Sequence, residues 1–172
     1  MNDYNSKFTE SYQRLIVTAA LQDSTFLAHT RESLDSKYFT SMDDQEVVRL
    51  VLKHYDEVLA PPAKVELEQS MSSRAKTLGW SDSATSSMMG VIGLLYDSKA
   101  LGQTSVEKLR DEVATFGRLQ ALKTAVMDSI STIQEVEAGS DSGSLVAVES
   151  NIRNALMVGA CKNLGVDMFD FL

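Results

Sequence analysis

The longest hydrophobic pattern lies in the second half of the chain and predicts two amphipathic helices. Apolar residues recur every three or four positions along the first, at Val106, Leu109, Val113, Phe116, Leu119, Leu122, Val126, Ile130 and Ile133. After the loop-like residues 138–144, the second helix repeats this spacing at Leu145, Val148, Ile152, Ala155 and Leu156. We expect an antiparallel helical hairpin, with Thr104 and Glu107 supplying a capping box at its start.

Shorter helical stripes fill the first half of the chain. The predicted helices carry their apolar residues at Phe8–Leu21, at Phe26, Leu27 and Leu34, at Val47–Leu59, at Val65–Met71, and at Met88–Leu95. Together with the hairpin, these stripes predict an all-α fold with a helical globule over residues 1–103 and the hairpin over residues 104–158. The apolar spacing of three and four residues does not continue through residues 159–172, which we predict to be a linker segment.

Polar residues and prolines mark the predicted helix ends. Asp43 with Glu46 forms a plausible N-cap and capping box for the third helix, which ends at the adjacent prolines 61 and 62. Pro62 suits the first turn of the next helix, and Asp82 is predicted to cap the fifth. Gly90 and Gly93 fall inside that fifth helix, where we expect them to allow close approach of a neighbouring backbone.

Composition and charge narrow the class of protein. The chain has 24 acidic and 16 basic residues, a formal charge of −8 that opposes tight, direct binding to nucleic acid or to anionic lipid. The longest apolar run, residues 88–96, is too short for a membrane span, and the acidic, polar start differs from a secretory signal. With one cysteine, Cys161, an internal disulfide is excluded, so we expect a cytoplasmic protein.

Candidate catalytic chemistry is sparse. His29 and His54 are the only histidines, and no spacing of cysteines or histidines typical of a transition-metal site occurs. The chain lacks the two commonest glycine-rich nucleotide-binding loops. Residues 90–93 match the Gly-x-x-Gly pattern of an RNA-binding loop, but they lie in an apolar predicted helix without basic neighbours, so we do not assign RNA binding to them. We therefore assign no catalytic, cofactor-binding or metal-binding residue.

The order of these elements resembles the N-terminal domain of a DnaB-type replicative DNA helicase, most closely the T-even phage branch. Residues 13–27 resemble the family's opening helix with its step from aspartate to phenylalanine, and residues 34–39 resemble its aromatic turn. Residues 45–55, with the prolines 61 and 62, resemble its next helix and corner. Residues 109–133 and 145–156 resemble its hairpin, and residues 165–171 resemble the linker that enters the motor domain.

The resemblance implies a collar domain that assembles subunits and docks partners. In that family six copies form a collar, hairpins pair between subunits, and the collar and linker help recruit the primase or the helicase loader. Self-association as a dimer or hexamer is therefore expected, in the host cytoplasm if the protein is phage-encoded. ATP and Mg²⁺ are expected only in a motor domain beyond residue 172, so this chain needs no cofactor of its own.

Particular residues are expected to form a subunit interface and to dock the linker. The hairpin residues that we expect to divide between internal packing and a subunit interface are Leu109, Val113, Phe116, Leu119, Ile152 and Leu156. The aromatic and apolar residues expected to dock the linker are Met168, Phe169 and Phe171. The pattern alone leaves open whether each hairpin residue belongs to the core or to an interface.

Two other classes of protein stay open at this point. A free-standing helicase loader or primase-type adaptor has a similar helical shape, and it would bind a helicase with little self-association. An enzyme that acts through aspartate and glutamate side chains alone is the third possibility, and a deep polar cleft holding several carboxylates would favour it.

Overall fold

The computed structural model describes residues 7–138 and 144–159, and this part of the chain contains seven α-helices and no strand. The helices are α1 (Glu10–Gln22), α2 (Ser24–Thr30), α3 (Met42–Val58), α4 (Lys64–Leu78), α5 (Asp82–Asp97), α6 (Val106–Glu137) and α7 (Ser144–Met157). Short 3₁₀ segments lie at Arg31–Ser33, Ser36–Tyr38 and Ala100–Gln103. The predicted all-α fold class is confirmed.

The chain divides into two compact units, residues 1–111 and residues 112–172. Helix α6 begins in the first unit and continues into the second. The predicted organisation into residues 1–103, 104–158 and 159–172 stays a prediction. Of the predicted linker segment, all residues after 159 lie outside the described part of the chain.

The core of the first unit lies among helices α1 to α5. Helix α1 packs against α2, α3 and α5, while α4 packs against α3 and α5. The largest side chains with almost no exposed surface in this unit are Ile16, Val17, Phe26, Leu27, Val47, Val51, Leu67, Met71, Ile92, Leu95 and Leu109. Within α3, α4 and α5 they recur at spacings of three and four, so most of each apolar stripe read from the sequence is buried. The exceptions are 57% to 74% exposed, at Val58, Leu59, Val65 and Leu94.

Two glutamine side chains attach α1 to the rest of the first unit. The buried Gln13 amide donates to the Phe8 carbonyl at 3.0 Å and accepts from the Thr40 backbone N–H at 2.7 Å. At the other end of α1, the Gln22 amide donates to the carbonyls of Leu95 at 2.8 Å and Ser98 at 3.1 Å. Leu95 lies in the last turn of α5 and Ser98 follows the helix, where carbonyls have no partner within the helix, so Gln22 supplies a donor.

The predicted cap of α3 is wrong. Ser41 precedes the helix, so Asp43 lies in its first turn rather than at the N-cap, where an acidic residue still suits the helix dipole. Glu46 does not complete a capping box, because its carboxylate instead accepts hydrogen bonds from Arg49 and Arg74. Arg74 lies 28 residues away in sequence, so a capping motif read over four neighbouring residues cannot predict this partner.

Helices α4 and α5 each begin one or two residues away from the predicted position. Pro62 lies outside the first turn of α4, because Ala63 is the N-cap and its N–H donates to the Glu66 carboxylate at 2.7 Å. Ser81, rather than Asp82, caps α5 through its hydroxyl, and Asp82 becomes the first helical residue. A serine hydroxyl accepts the same backbone hydrogen bond as an aspartate, so adjacent candidates compete for the cap.

The capping box predicted at the start of α6 is also wrong. Ser105 accepts a hydrogen bond from the Lys108 N–H at 3.3 Å, which makes Ser105 the capping residue. Thr104 instead donates its hydroxyl to the Ala100 carbonyl at 3.3 Å, within the preceding 3₁₀ segment. Because the helix starts one residue later than predicted, Glu107 is out of register for a box with Thr104.

The two glycines inside α5 do not meet a neighbouring backbone, contrary to expectation. A β-carbon added at Gly90 would have no heavy atom within 4 Å among the described residues beyond its own helix. At Gly93 the nearest such atom is the flexible Lys64 ammonium at 3.7 Å. Glycine therefore costs helix stability at these positions without a packing reason in the described chain.

Candidate interaction surface

Burial divides the predicted apolar stripe of α6 into two parts. Leu109, Val113 and Phe116, near the amino end, are at most 1% exposed. Further along, Leu122 is half-buried, and the other four large apolar side chains of the stripe are exposed by 39% to 47%, at Leu119, Val126, Ile130 and Ile133. These four residues form what we call the α6 row. Its spacing of seven, four and three residues keeps it on one helical face.

The second half of α6 buries small residues in place of large ones. Ala121, Ala125 and Ser129 are all less than 8% exposed and recur every four residues. At 3.6 residues per turn, Leu119 and Ala121 point roughly 160° apart around the helix. Small buried residues allow another helix to approach closely. At the same 100° per residue, the α6 row is centred about 100° around the helix from this buried line, so it flanks the covered face.

Helix α7 also combines a buried small residue with exposed large ones. Ala155 is 6% exposed and Ile152 is half-buried, but Leu156 and Met157 are each about half exposed. The Arg118 guanidinium donates from Nε to the Val158 carbonyl at 3.2 Å, so the residue just after α7 lies beside α6. This contact supports an antiparallel arrangement of α6 and α7, and the complete hairpin stays a prediction.

A shallow apolar depression lies at the amino end of the α6 row. Leu119, Leu122 and Val126 line it together with Lys123 and Met127. The lysine contributes its aliphatic stem while its ammonium group can stay in water. Continuous apolar surface of this kind on one helix is typical of a contact site for another protein.

The structure separates the six predicted interface residues by exposure. Leu109, Val113 and Phe116 are buried, Ile152 is half-buried, and only Leu119 and Leu156 offer substantial surface. The assignment of any of them to a subunit interface stays a prediction. The predicted linker-docking residues Met168, Phe169 and Phe171 lie outside the described residues.

Sequence reasoning missed several exposed apolar residues. Met127 is 66% exposed and lines the depression, although it follows Val126 directly and so breaks the spacing of three and four. Val146 and Met157 on α7 are 72% and 52% exposed and also fall outside the predicted stripe. A search for apolar residues adjacent to the stripe, rather than on it, would have found all three.

The described residues contain neither a metal-binding cluster nor a membrane-spanning helix. Within residues 7–138 and 144–159, no group of three or more histidine, cysteine, aspartate or glutamate side chains is placed to hold a metal ion. Across the same residues, every helix is too short or too polar to cross a bilayer. His54 is half-buried, with its Nε2 3.9 Å from the Glu66 carboxylate.

Neither a protein-family model, nor a curated protein, nor a solved structure matches this chain.

Proposed function

We propose that this chain is an assembly and docking module, the N-terminal collar domain of a hexameric ATP-dependent replicative DNA helicase. The observation that carries the proposal is the α6 row, four large apolar side chains that α6 leaves exposed on one face. A second copy of the chain would cover this face, and a primase or helicase loader would dock on the assembled collar. DNA unwinding and ATP hydrolysis would belong to a separate motor domain.

Burial of the α6 row gives a physical reason for self-association. Burying a fully exposed leucine, isoleucine or valine side chain contributes about 1.5–3 kcal/mol. The side chains of the α6 row are 39% to 47% exposed, so covering each of them would contribute roughly half as much. Four such side chains on each copy form a self-complementary patch, which is the arrangement that a two-fold interface requires. The formal charge of −8 opposes tight DNA binding, which supports a collar that assembles subunits without binding DNA tightly itself.

Sedimentation velocity of the full chain at several concentrations tests the proposal. We expect a reversible dimer or higher oligomer for the wild type, because covering the α6 row removes apolar surface from water. The double variant Leu119→Asp with Ile130→Asp places two charges on that face and is expected to weaken association at least about tenfold. Both side chains are exposed, so helical content by circular dichroism should stay unchanged.

A matched control places the same two charges elsewhere. Met42 and Leu94 are 75% and 72% exposed and lie in the first unit, away from the α6 row in sequence. Met42→Asp with Leu94→Asp should leave the association constant within about twofold of the wild type. Equal loss of association in both double variants would contradict an interface on the α6 row.

A wild type that stays monomeric at every concentration would overturn the collar proposal. The adaptor alternative then makes a distinct prediction: the chain would bind a replicative helicase as a monomer. Pull-down with a purified helicase, using Leu119→Asp/Ile130→Asp as the matched variant, measures that binding. Retained helicase binding with loss in the variant would assign the α6 row to a partner instead of to a second copy.

A further inference from the structure

A second candidate site lies in the first unit, in a groove between α3 and α4. Arg49, Lys53 and Glu57 line it from α3, and Ser73, Arg74 and Thr77 line it from α4. The three α3 residues are spaced by four, so they share one helical face that borders the groove. The lining therefore combines three cations and one carboxylate with polar and apolar side chains, which also include Leu50, His54, Gln69 and Ser70.

Glu46 fixes the two arginines at one end of this groove. Arg74 donates to its carboxylate from Nε and, at 3.2 Å, from Nη2, while Arg49 donates from Nη1 at 2.5 Å. The Glu46 carboxylate is nearly buried, but the Arg49 and Arg74 side chains are 43% and 27% exposed. One carboxylate thus holds two guanidinium groups that still reach the surface with donors left over, since each guanidinium carries five.

The local charge of the groove opposes the charge of the whole chain. Arg49, Lys53 and Arg74 carry three positive charges, and Glu57 and the underlying Glu46 carry two negative charges. These five groups leave an excess of one positive charge on a chain whose formal charge is −8, and the Glu66 carboxylate lies at the border of the groove, 3.9 Å from the lining residue His54. The hydroxyls of Ser73 and Thr77 already donate to the backbone carbonyls of Gln69 and Ser73 at 3.0 and 3.1 Å, so the cations are the donors that the groove offers to a carboxylate.

The geometry points to a binding site for a short acidic peptide segment of a partner protein, in the α3–α4 groove. The lining spans residues 49 to 57 on α3 and 69 to 77 on α4, two turns or about 12 Å on each helix at 1.5 Å per residue. An extended peptide advances about 3.3 Å per residue, so roughly four residues fill this length. Guanidinium groups held in place bind carboxylates through paired hydrogen bonds.

A peptide fits this site better than a nucleic acid does. Electrostatic interactions in solution decay over about 8–10 Å at physiological ionic strength, so a four-residue segment in the groove senses mainly the local cations. A long polyanion extends beyond the groove and meets the remaining acidic surface of the chain. The site is separate from the α6 row, so its existence does not depend on the proposed helicase function.

Fluorescence anisotropy with the full chain and labelled hexaglutamate tests the assignment. Labelled hexaglutamine and a six-nucleotide oligothymidine are the comparison probes, because they remove the charge or replace the carboxylates by phosphates. We expect hexaglutamate to bind, hexaglutamine not to bind over the same concentration range, and hexaglutamate binding to weaken as salt rises. Tighter binding of the oligothymidine than of hexaglutamate would overturn the peptide assignment.

Three variants locate the binding. Arg49→Gln with Lys53→Gln removes two groove cations without disturbing the hydrogen bonds of Arg74, and should weaken hexaglutamate binding about tenfold. Lys99→Gln with Lys108→Gln makes the same charge change at exposed positions that do not line the groove, and should change affinity by no more than about twofold. Glu57→Gln removes the exposed carboxylate of the lining and should strengthen binding about twofold to fivefold.

Hexaglutamate affinity is expected to rise in Glu57→Gln and to fall in Arg49→Gln with Lys53→Gln, so the two variants test the groove in opposite directions. A folded Glu57→Gln variant that binds no more tightly than wild type, or equal losses in the two double variants, would overturn the groove as the site. Failure of hexaglutamate to bind at millimolar concentration would overturn it as well. Thermal denaturation of each variant confirms that the chain under test is folded.

Discussion

Arg74 on α4 donates hydrogen bonds to both carboxylate oxygens of Glu46 on α3, from Nε to Oε2 and from Nη2 to Oε1 at 3.2 Å. Arg49, one turn along α3, donates to Oε1 of the same carboxylate at 2.5 Å. The hydrogen bond from Arg74, followed by the charge of Arg49, holds the pKa of Glu46 below its ordinary value. This fork–fork pairing joins two helices that are neighbours in the first unit.

Replacing Glu46 by glutamine is expected to lower the free energy of unfolding at pH 7 by about 2–3 kcal/mol, since two arginines lose their counter-charge. The pKa of Glu46 is lowered in the folded chain, so its stabilising effect is complete above the ordinary value of 4.5. The effect is lost as the pH falls below 4.5 and passes through the lower pKa of the folded state. Urea denaturation of wild type and Glu46→Gln between pH 7 and pH 3 measures the difference.

The control for this prediction is Asp128→Asn, which removes an exposed carboxylate from the middle of α6, away from its ends. Its unfolding free energy should stay within about 0.5 kcal/mol of wild type at each pH. A difference between wild type and Glu46→Gln that does not shrink toward pH 3 would show that the Glu46 carboxylate does not stabilise the fold through its charge.

Phe116 and Leu119 lie one turn apart on α6 but differ in burial, at 0% and 39% exposed. Phe116→Asp is expected to cost more than about 4 kcal/mol, because it buries a charge and leaves a cavity. Leu119→Asp should cost less than about 1 kcal/mol, because the new carboxylate stays in water. Circular dichroism melts of dilute samples check both values, and comparable unfolding of the two variants would place Leu119 in the core.

Gly79 and Gly90 should respond to alanine with opposite signs. Gly79 ends α4 with φ +68°, a left-handed conformation, so Gly79→Ala should destabilise the chain by about 1 kcal/mol. Gly90 has helical backbone and room for a β-carbon, so Gly90→Ala should stabilise by about 1 kcal/mol. Urea denaturation measures both; destabilisation by Gly90→Ala would indicate that something covers this face of α5 in solution.

The Tyr96 hydroxyl donates a hydrogen bond to the Pro62 carbonyl at 2.6 Å, and burial raises the pKa of Tyr96 to about 12. Because the folded pKa lies above the ordinary 10.0, stability from the neutral phenol is complete below pH 10 and is lost as the pH rises toward 12. Tyr96→Phe should lose about 1 kcal/mol at pH 8 through the missing hydrogen bond. That deficit should shrink between pH 10 and pH 12, and a constant deficit in urea denaturation would contradict the prediction.

Helical periodicity was sufficient to locate most of the described elements. Spacings of three and four predicted the buried faces of α1 and α3, where Ile16, Val47 and Val51 are almost fully buried. Caps were harder to predict, because neighbouring residues such as Ser81 and Asp82 can accept the same backbone hydrogen bond. The sequence also did not predict which groups the Glu46 carboxylate binds, because a local capping motif and the distant Arg74 are both possible partners.

The sequence by itself determined the all-α class, the acidic balance and the approximate position of each helix, because these depend on composition and on local apolar spacing. Tertiary structure alone decided which part of the α6 stripe is buried. Phe116 and Leu119 belong to the same periodic pattern, yet only Phe116 is covered, and Ala121 replaces Leu119 on the buried side. Tertiary structure also brought Arg74 to Glu46 across 28 residues and so formed the positive end of the α3–α4 groove. Periodicity defines a helical face, but burial depends on which other elements pack there, and that information is distributed over the whole chain.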